Sequence, residues 1–113
     1  MIERYSFSHI EVDGRTFTSD IIIYPDGRIL DSWWRESGHY LVREDIEEVL
    51  DARPQILIIG TGASGMMQVD PRLLIALANE GVTVEELPTR EAVARYNALY
   101  MSEKVAACLH LSC

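Results

Sequence analysis

At 113 residues, 48% hydrophobic and 25% charged, the chain is sized for one compact domain, 1–113, whose core closes without disulfides or a structural metal. A formal net charge of −8 and the absence of any basic run argue against duplex nucleic acid or an anionic membrane surface as partners. No apolar h-region follows Met1-Ile2-Glu3-Arg4, and no stretch nears the roughly 20 residues of a bilayer span, so the expected location is the cytoplasm.

The N-terminal third reads as strands. Asp13-Gly14 and Pro25-Asp26-Gly27 punctuate segments rich in β-branched and aromatic residues, which predicts a meander of Tyr5 to Val12, Arg15 to Tyr24 and Arg28 to Trp34. After Gly38 the period changes: Ile46, Val49 and Leu50 mark an amphipathic helix ending before Pro54, with Glu44, Asp45, Glu47, Glu48 and Asp51 on its solvated face. Gln55 to Ile59 is continuously apolar, the pattern of a strand covered on both faces. Asp70 and Pro71 open the next helix, Leu73, Leu74, Leu77 and Ala78 form its apolar face, and Gly81 closes it. Val82 to Leu87 is a further strand. Thr89 is placed to cap a third helix carrying Val93, Tyr96 and Tyr100 on one side, and Lys104 to Leu111 reads as a central strand buried on both faces. A β-rich start followed by alternating helices and strands implies an α/β layered domain with a mixed sheet.

Gly60-Thr61-Gly62-Ala63-Ser64-Gly65 matches G-x-G-x-x-G directly after the strand at Ile56 to Ile59. A dinucleotide fingerprint needs a helix to start at once, so that its free N–H groups face the pyrophosphate. Here Met66 to Asp70 intervene before Pro71, although Glu85, twenty residues on, sits where a ribose-binding acid belongs. Two other roles fit: a sharp strand-to-loop turn, or a nest of N–H groups for an anion or small ligand. Ser64 lacks the G-x-S-x-G spacing of a nucleophile elbow because Met66 replaces the second glycine, which weakens a hydrolase triad with His110 and Asp20 or Asp70. Neither a cofactor nor a metal is expected. His9, His39 and His110 show no compact metal spacing, and Cys108, His110 and Cys113 supply three donors where a structural zinc takes four. Both cysteines read as free thiols of a reducing compartment.

Trp33-Trp34-Arg35 poses a geometric problem, since consecutive strand residues point to opposite faces. Either both indoles cover opposite sides of a thin sheet, or one meets a partner, where Trp and Arg are enriched as anchors.

Several blocks in order carry a resemblance: Thr18 to Gly27, Trp33-Trp34-Arg35 with Gly38-His39, Gly60 to Gly65, Asn97, and the ending Ala106 to Leu111. Together they resemble the small-domain family that includes the mammalian adipogenesis-associated domain protein and a mitochondrial complex I assembly factor. The resemblance implies a three-layer α/β fold with a mixed central sheet whose last strand runs antiparallel to the others. It implies no catalytic residues, and its mitochondrial members act through protein partners in assembling a membrane complex. The expected function is therefore a non-enzymatic, cytoplasmic protein-binding factor in assembly or regulation, with Trp33, Trp34 and Arg35 at the interface. The alternative is a small-ligand or anion-binding module or enzyme built on Gly60, Thr61, Gly62, Ser64 and Gly65, with Arg35, His39 and His110 beside them.

Overall fold

The computed structural model describes residues 1–113. Three short strands, β1 (Ile2–Ser6), β2 (His9–Val12) and β3 (Arg15–Phe17), pair as an antiparallel meander of their own. The central sheet takes β4 (Ile21–Ile23), β5 (Ile29–Leu30), β7 (Ile56–Thr61), β9 (Thr83–Leu87) and β10 (Val105–His110), in the order β5-β4-β10-β7-β9. A parallel pair of two-residue strands, β6 (Tyr40–Leu41) and β8 (Gln68–Val69), lies apart from it. The helices are α1 (Glu47–Asp51), preceded by a 3-10 turn at Arg43–Asp45, α2 (Pro71–Asn79) and α3 (Thr89–Leu99).

Strand period explains the layers. Along β10, Val105, Ala107 and Leu109 point to one side and pack with Ile58, Ile10 and Phe17 of the meander, and Ala92 and Tyr96 of α3. Ala106 and Cys108 point to the other and join Leu57, Ile59, Val49 of α1, Leu73 and Leu77 of α2, and Trp33. With both faces covered, β7 and β10 can be continuously apolar, as their sequences are. The architecture is a three-layer α/β fold.

The predicted meander is redistributed. Tyr5 to Val12 is not one strand but breaks at Phe7-Ser8, where Ser8 takes φ 58° without a glycine or proline to announce the turn. Arg15 to Tyr24 divides between the meander and the central sheet, because Asp20 leaves the ladder to bond elsewhere. Arg28 to Trp34 yields only Ile29–Leu30 and ends at Ser32, φ 58°. Asp13-Gly14 is the expected two-residue turn, with φ 49° and 80°.

An antiparallel last strand holds on one side only. β10 runs antiparallel to β4 but parallel to β7, which is itself parallel to β9. The reason is α3, a crossover that returns the chain in the direction of β9. Asn97 of α3 fixes the meander to this layer: its Oδ1 accepts from Ile2 N–H and its Nδ2 donates to Ile2 C=O, both at 2.8 Å.

Asp70 caps α2 as expected, accepting from the Arg72 N–H at 3.0 Å. Thr89 does not cap α3. It is the first helical residue, after Pro88, and its fully buried hydroxyl donates to His110 C=O at 2.6 Å while accepting from Gly62 N–H at 2.8 Å. This contact requires Gly60, where a Cβ would stand 2.9 Å from both Thr89 Oγ1 and Leu109 Cδ2. Thr89→Val would keep the shape and strand a buried N–H, so urea unfolding is expected to show a loss of about 1–3 kcal/mol. Thr89→Ser, which retains the hydroxyl, should lose less.

Candidate functional site

Residues 33 to 35 lie outside the strands, in an extended segment between β5 and β6. Trp33 is 5% exposed, Trp34 73% and Arg35 8%. The two indoles therefore do not cover a thin sheet: one enters the core and the other stands in solvent. Trp33 is anchored at both ends, its backbone N–H donating to Asp20 C=O at 2.7 Å and its Nε1 to Asp45 C=O at 2.9 Å. Arg35 folds back so that its guanidinium carbon sits 4.5 Å from the Trp33 ring centroid, a cation–π contact.

One carboxylate organises the segment. Asp20 Oδ2 accepts from Arg35 Nη2 at 2.9 Å and from His110 Nδ1 at 2.8 Å, while Oδ1 accepts from Leu111 N–H at 2.8 Å. Arg35 Nη2 also donates to Gly38 C=O at 2.9 Å, closing the loop on itself. Burial by itself would raise the Asp20 carboxyl, but the hydrogen bonds from His110, Leu111 and Arg35 outweigh it and hold the group below its ordinary range. The short Nδ1–Oδ2 contact needs a proton between its atoms, and an ionised Asp20 leaves that proton on His110 Nδ1. The 3.2 Å between Arg35 Nη2 and His110 Nδ1 follows from their convergence on one oxygen. Arg35 Nε and Nη1 and His110 Nε2 make no hydrogen bond.

Arg35, His39 and His110 are thus brought together, the exposed His39 ring standing edge-on to His110 at 5.7 Å. The glycine loop is occupied otherwise. Gly62 N–H donates to Thr89, Ala63 N–H to Ser112 C=O, Gly65 N–H to Gly62 C=O, Met66 N–H to Cys113 C=O and Met67 N–H to Thr61 C=O. Only Ser64 in this turn keeps a backbone N–H without a partner. A nest for an anion needs several such groups converging on open space, and here they are taken up by the loop itself, by Thr89 and by Ser112 and Cys113. Gly62, at φ 110°, is obligatory because a Cβ would fall on the backbone of Cys113.

The other candidate chemistries separate in space. Asp20 and His110 do meet, but the exposed Ser64 makes no hydrogen bond to His110, and Asp70 is held by Arg72. Glu85, the candidate ribose acid, is clamped by Arg95 at 2.7 and 2.9 Å. No group of three His, Cys, Asp or Glu side chains is arranged to hold a metal ion.

Trp34, the one exposed indole of this segment, stands over a hollow in the surface. Trp34, Glu36, Val42, Glu44 and Asp45 line an open hollow of about 480 Å³. Asp45 is committed to its walls, accepting from Val42 N–H at 3.0 Å and Glu36 N–H at 3.3 Å. The exposed carboxylates of Glu36 and Glu44 make neither an ion pair nor a hydrogen bond. Arg43, beside Glu44 in sequence, is bonded to Glu80 by two contacts of 2.9 Å, Arg35, beside Glu36, is bonded to Asp20, and Arg72 acts on Glu44 only at longer range. Sequence reasoning found the indole but missed this acidic rim, since Glu36 and Glu44 straddle β6 and are juxtaposed only by the fold.

Residues 2–110 match a family described as a protein of unknown function, DUF498/DUF598. The chain belongs to this family. A conserved hypothetical protein from Pyrococcus horikoshii is 31% identical, with a TM-score of 0.91 over 100% of this chain and 99% of the other. A structure named MT938 is 29% identical, with a TM-score of 0.80 over 100% and 98%. A Bordetella pertussis protein described as a Mth938-like domain, 23% identical over 98% and 85% of the two chains, shares the fold at a TM-score of 0.71. Membership in DUF498/DUF598 establishes the fold and assigns no activity.

Two outcomes test this geometry. Asp20→Asn leaves Arg35 as a buried cation without its carboxylate, so unfolding at pH 7 should cost about 3 kcal/mol. Because the folded Asp20 carboxyl lies below its ordinary value of 3.8, its stabilisation is complete above that value and is lost as pH falls through the lowered one. Acid unfolding of Asp20→Asn should accordingly lack this component and slope less steeply. Burial pushes the Cys108 thiol up to about 12, whereas Cys113 is exposed. A disulfide reagent at pH 8 should titrate one thiol in the native protein and two in denaturant.

Proposed function

We propose that this DUF498/DUF598 protein is a non-enzymatic protein-binding factor, acting in assembly or regulation, with Trp34 as its anchor. One observation carries the reading: an indole 73% exposed on a segment that buried contacts hold in place. Exposed tryptophan is usually mobile or incidental, but here both neighbours, Trp33 and Arg35, are buried and bonded, so little ordering entropy is left to lose on association. Tryptophan is among the residue types most enriched at interface hot spots, and the buried Trp33 and Arg35 support it from beneath.

The resemblance to the adipogenesis-associated domain protein and the complex I assembly factor supports the same direction, since mitochondrial members of that family work through protein partners. Two unpaired cysteines fit a reducing, cytoplasmic setting. No helix is long and apolar enough to cross a membrane. The glycine loop offers no comparable support for a ligand-binding role, because its N–H groups are largely committed internally.

The test is affinity capture with the tagged wild-type chain and with Trp34→Ala, partners being identified by mass spectrometry and then measured in purified form. Trp34→Ala should leave unfolding within about 0.5 kcal/mol of wild type, as for other surface changes. It should weaken a genuine partner by roughly 30-fold, the equivalent of a 2 kcal/mol hot spot. The same partners at unchanged affinity would overturn the reading.

A further inference from the structure

Resting on that reading, we infer that the segment seated at Trp34 is cationic: an arginine-bearing stretch of a partner protein that lays a guanidinium between the indole and the carboxylates of Glu36 and Glu44. The hollow supplies three things such a side chain needs. Trp34 offers an exposed aromatic face, the best partner for a cation among the aromatic residues. Val42 gives an apolar wall for the methylene stem. Glu36 and Glu44 offer carboxylates that form no ion pair or hydrogen bond, Arg72 acting on Glu44 only at longer range, while Asp45, fixed by two backbone N–H groups, adds a third negative charge to the wall.

Charge complementarity decides among occupants. The surrounding chain carries 18 acidic against 10 basic residues, so an acidic segment or an anionic lipid surface would be repelled at the hollow and at longer range. A wholly apolar segment would bury Glu36 and Glu44 without a partner, which is costly. Arginine meets both demands better than lysine, because its planar guanidinium stacks on an indole while its N–H groups reach carboxylates in pairs. The few charges involved make the interaction salt-dependent and favour rapid association.

Isotope-labelled protein makes the test direct, since each indole N–H gives its own resonance and the buried Trp33, bonded to Asp45, reports whether the fold is intact in each variant. The probes are three blocked heptapeptides of one pattern, Gly-Leu-X-Gly-X-Leu-Gly, with X as Arg, Lys or Glu, titrated at low salt and again at 0.5 M. The Arg peptide is expected to shift the Trp34 indole signal saturably, the Lys peptide to bind several-fold more weakly, and the Glu peptide to leave it in place. Glu36→Gln with Glu44→Gln should weaken the Arg peptide at least tenfold, as should 0.5 M salt, while the Trp33 signal reports an intact fold. Equal response to Arg and Glu peptides, or unchanged affinity in the double Gln variant, would overturn the inference. So would sedimentation showing a dimer that Trp34→Ala dissolves, which would make a second copy the occupant. The two levels of the account fail separately. If Trp34→Ala strips captured partners but the double Gln variant does not, the cationic partner is wrong and the protein-binding role stands; if Trp34→Ala strips nothing, the role itself falls.

Discussion

Asp20 sits where three parts of the chain meet: the link from β3 to β4, the segment after β5 and the end of β10. Its carboxylate receives N–H groups from Arg35, from the His110 ring and from the Leu111 backbone, while its backbone C=O accepts from Trp33 N–H. These bonds explain why the chain abandons the ladder between β3 and β4. They explain also why an arginine can lie 8% exposed in a chain of this size. A buried guanidinium without a carboxylate would be lost to solvent, and the segment would follow it. Removing either partner is therefore expected to be felt far beyond the pair, since Trp33, Gly38 and the end of β10 are attached to it.

The glycine loop plays a different part from the one its pattern suggests. Gly60 makes room for Thr89 and Leu109, and Gly62 makes room for the chain's final residues, so each glycine answers to a neighbour in the same molecule. The same turn in a dinucleotide-binding domain would leave its N–H groups free and point a helix at them. Here α3 does begin nearby, but Thr89 uses its hydroxyl to tie Gly62 to His110, and the loop becomes a structural joint between β7, α3 and β10.

Much of the fold can be read from residue order alone. The apolar runs of β7 and β10, the Asp70-Pro71 start of α2, its Gly81 end and the Asp13-Gly14 turn are local signals, and local signals survive folding. What escaped is non-local or unusually short. Ser8 and Ser32 take positive φ with no glycine to mark them, and β6 and β8 are two residues each, too brief for any period. Antiparallel or parallel neighbours of β10 depend on which strands flank it, a property of topology rather than of its own residues. At the candidate site, Trp33, Trp34 and Arg35 stand out by composition. Their division into an inward and an outward indole depends on Asp20 and Asp45, which lie 13 and 12 positions from Trp33 in sequence.

The segment around Trp34 combines a fixed support with an incompletely satisfied exterior. The buried side of the segment has Trp33 bonded at both its nitrogens, while the outer side shows an indole and two carboxylates without a hydrogen bond. The Asp20–Arg35 contact holds this surface in place, and native-state hydrogen exchange reads that anchoring. In wild type the Trp33 amide, donating to Asp20 C=O, should exchange nearly as slowly as the amides of β4 and β10. In Arg35→Met it should exchange by local opening, at least a hundredfold faster relative to those strands. Equal protection of Trp33 in both proteins would mean that the Asp20–Arg35 contact does not hold the segment.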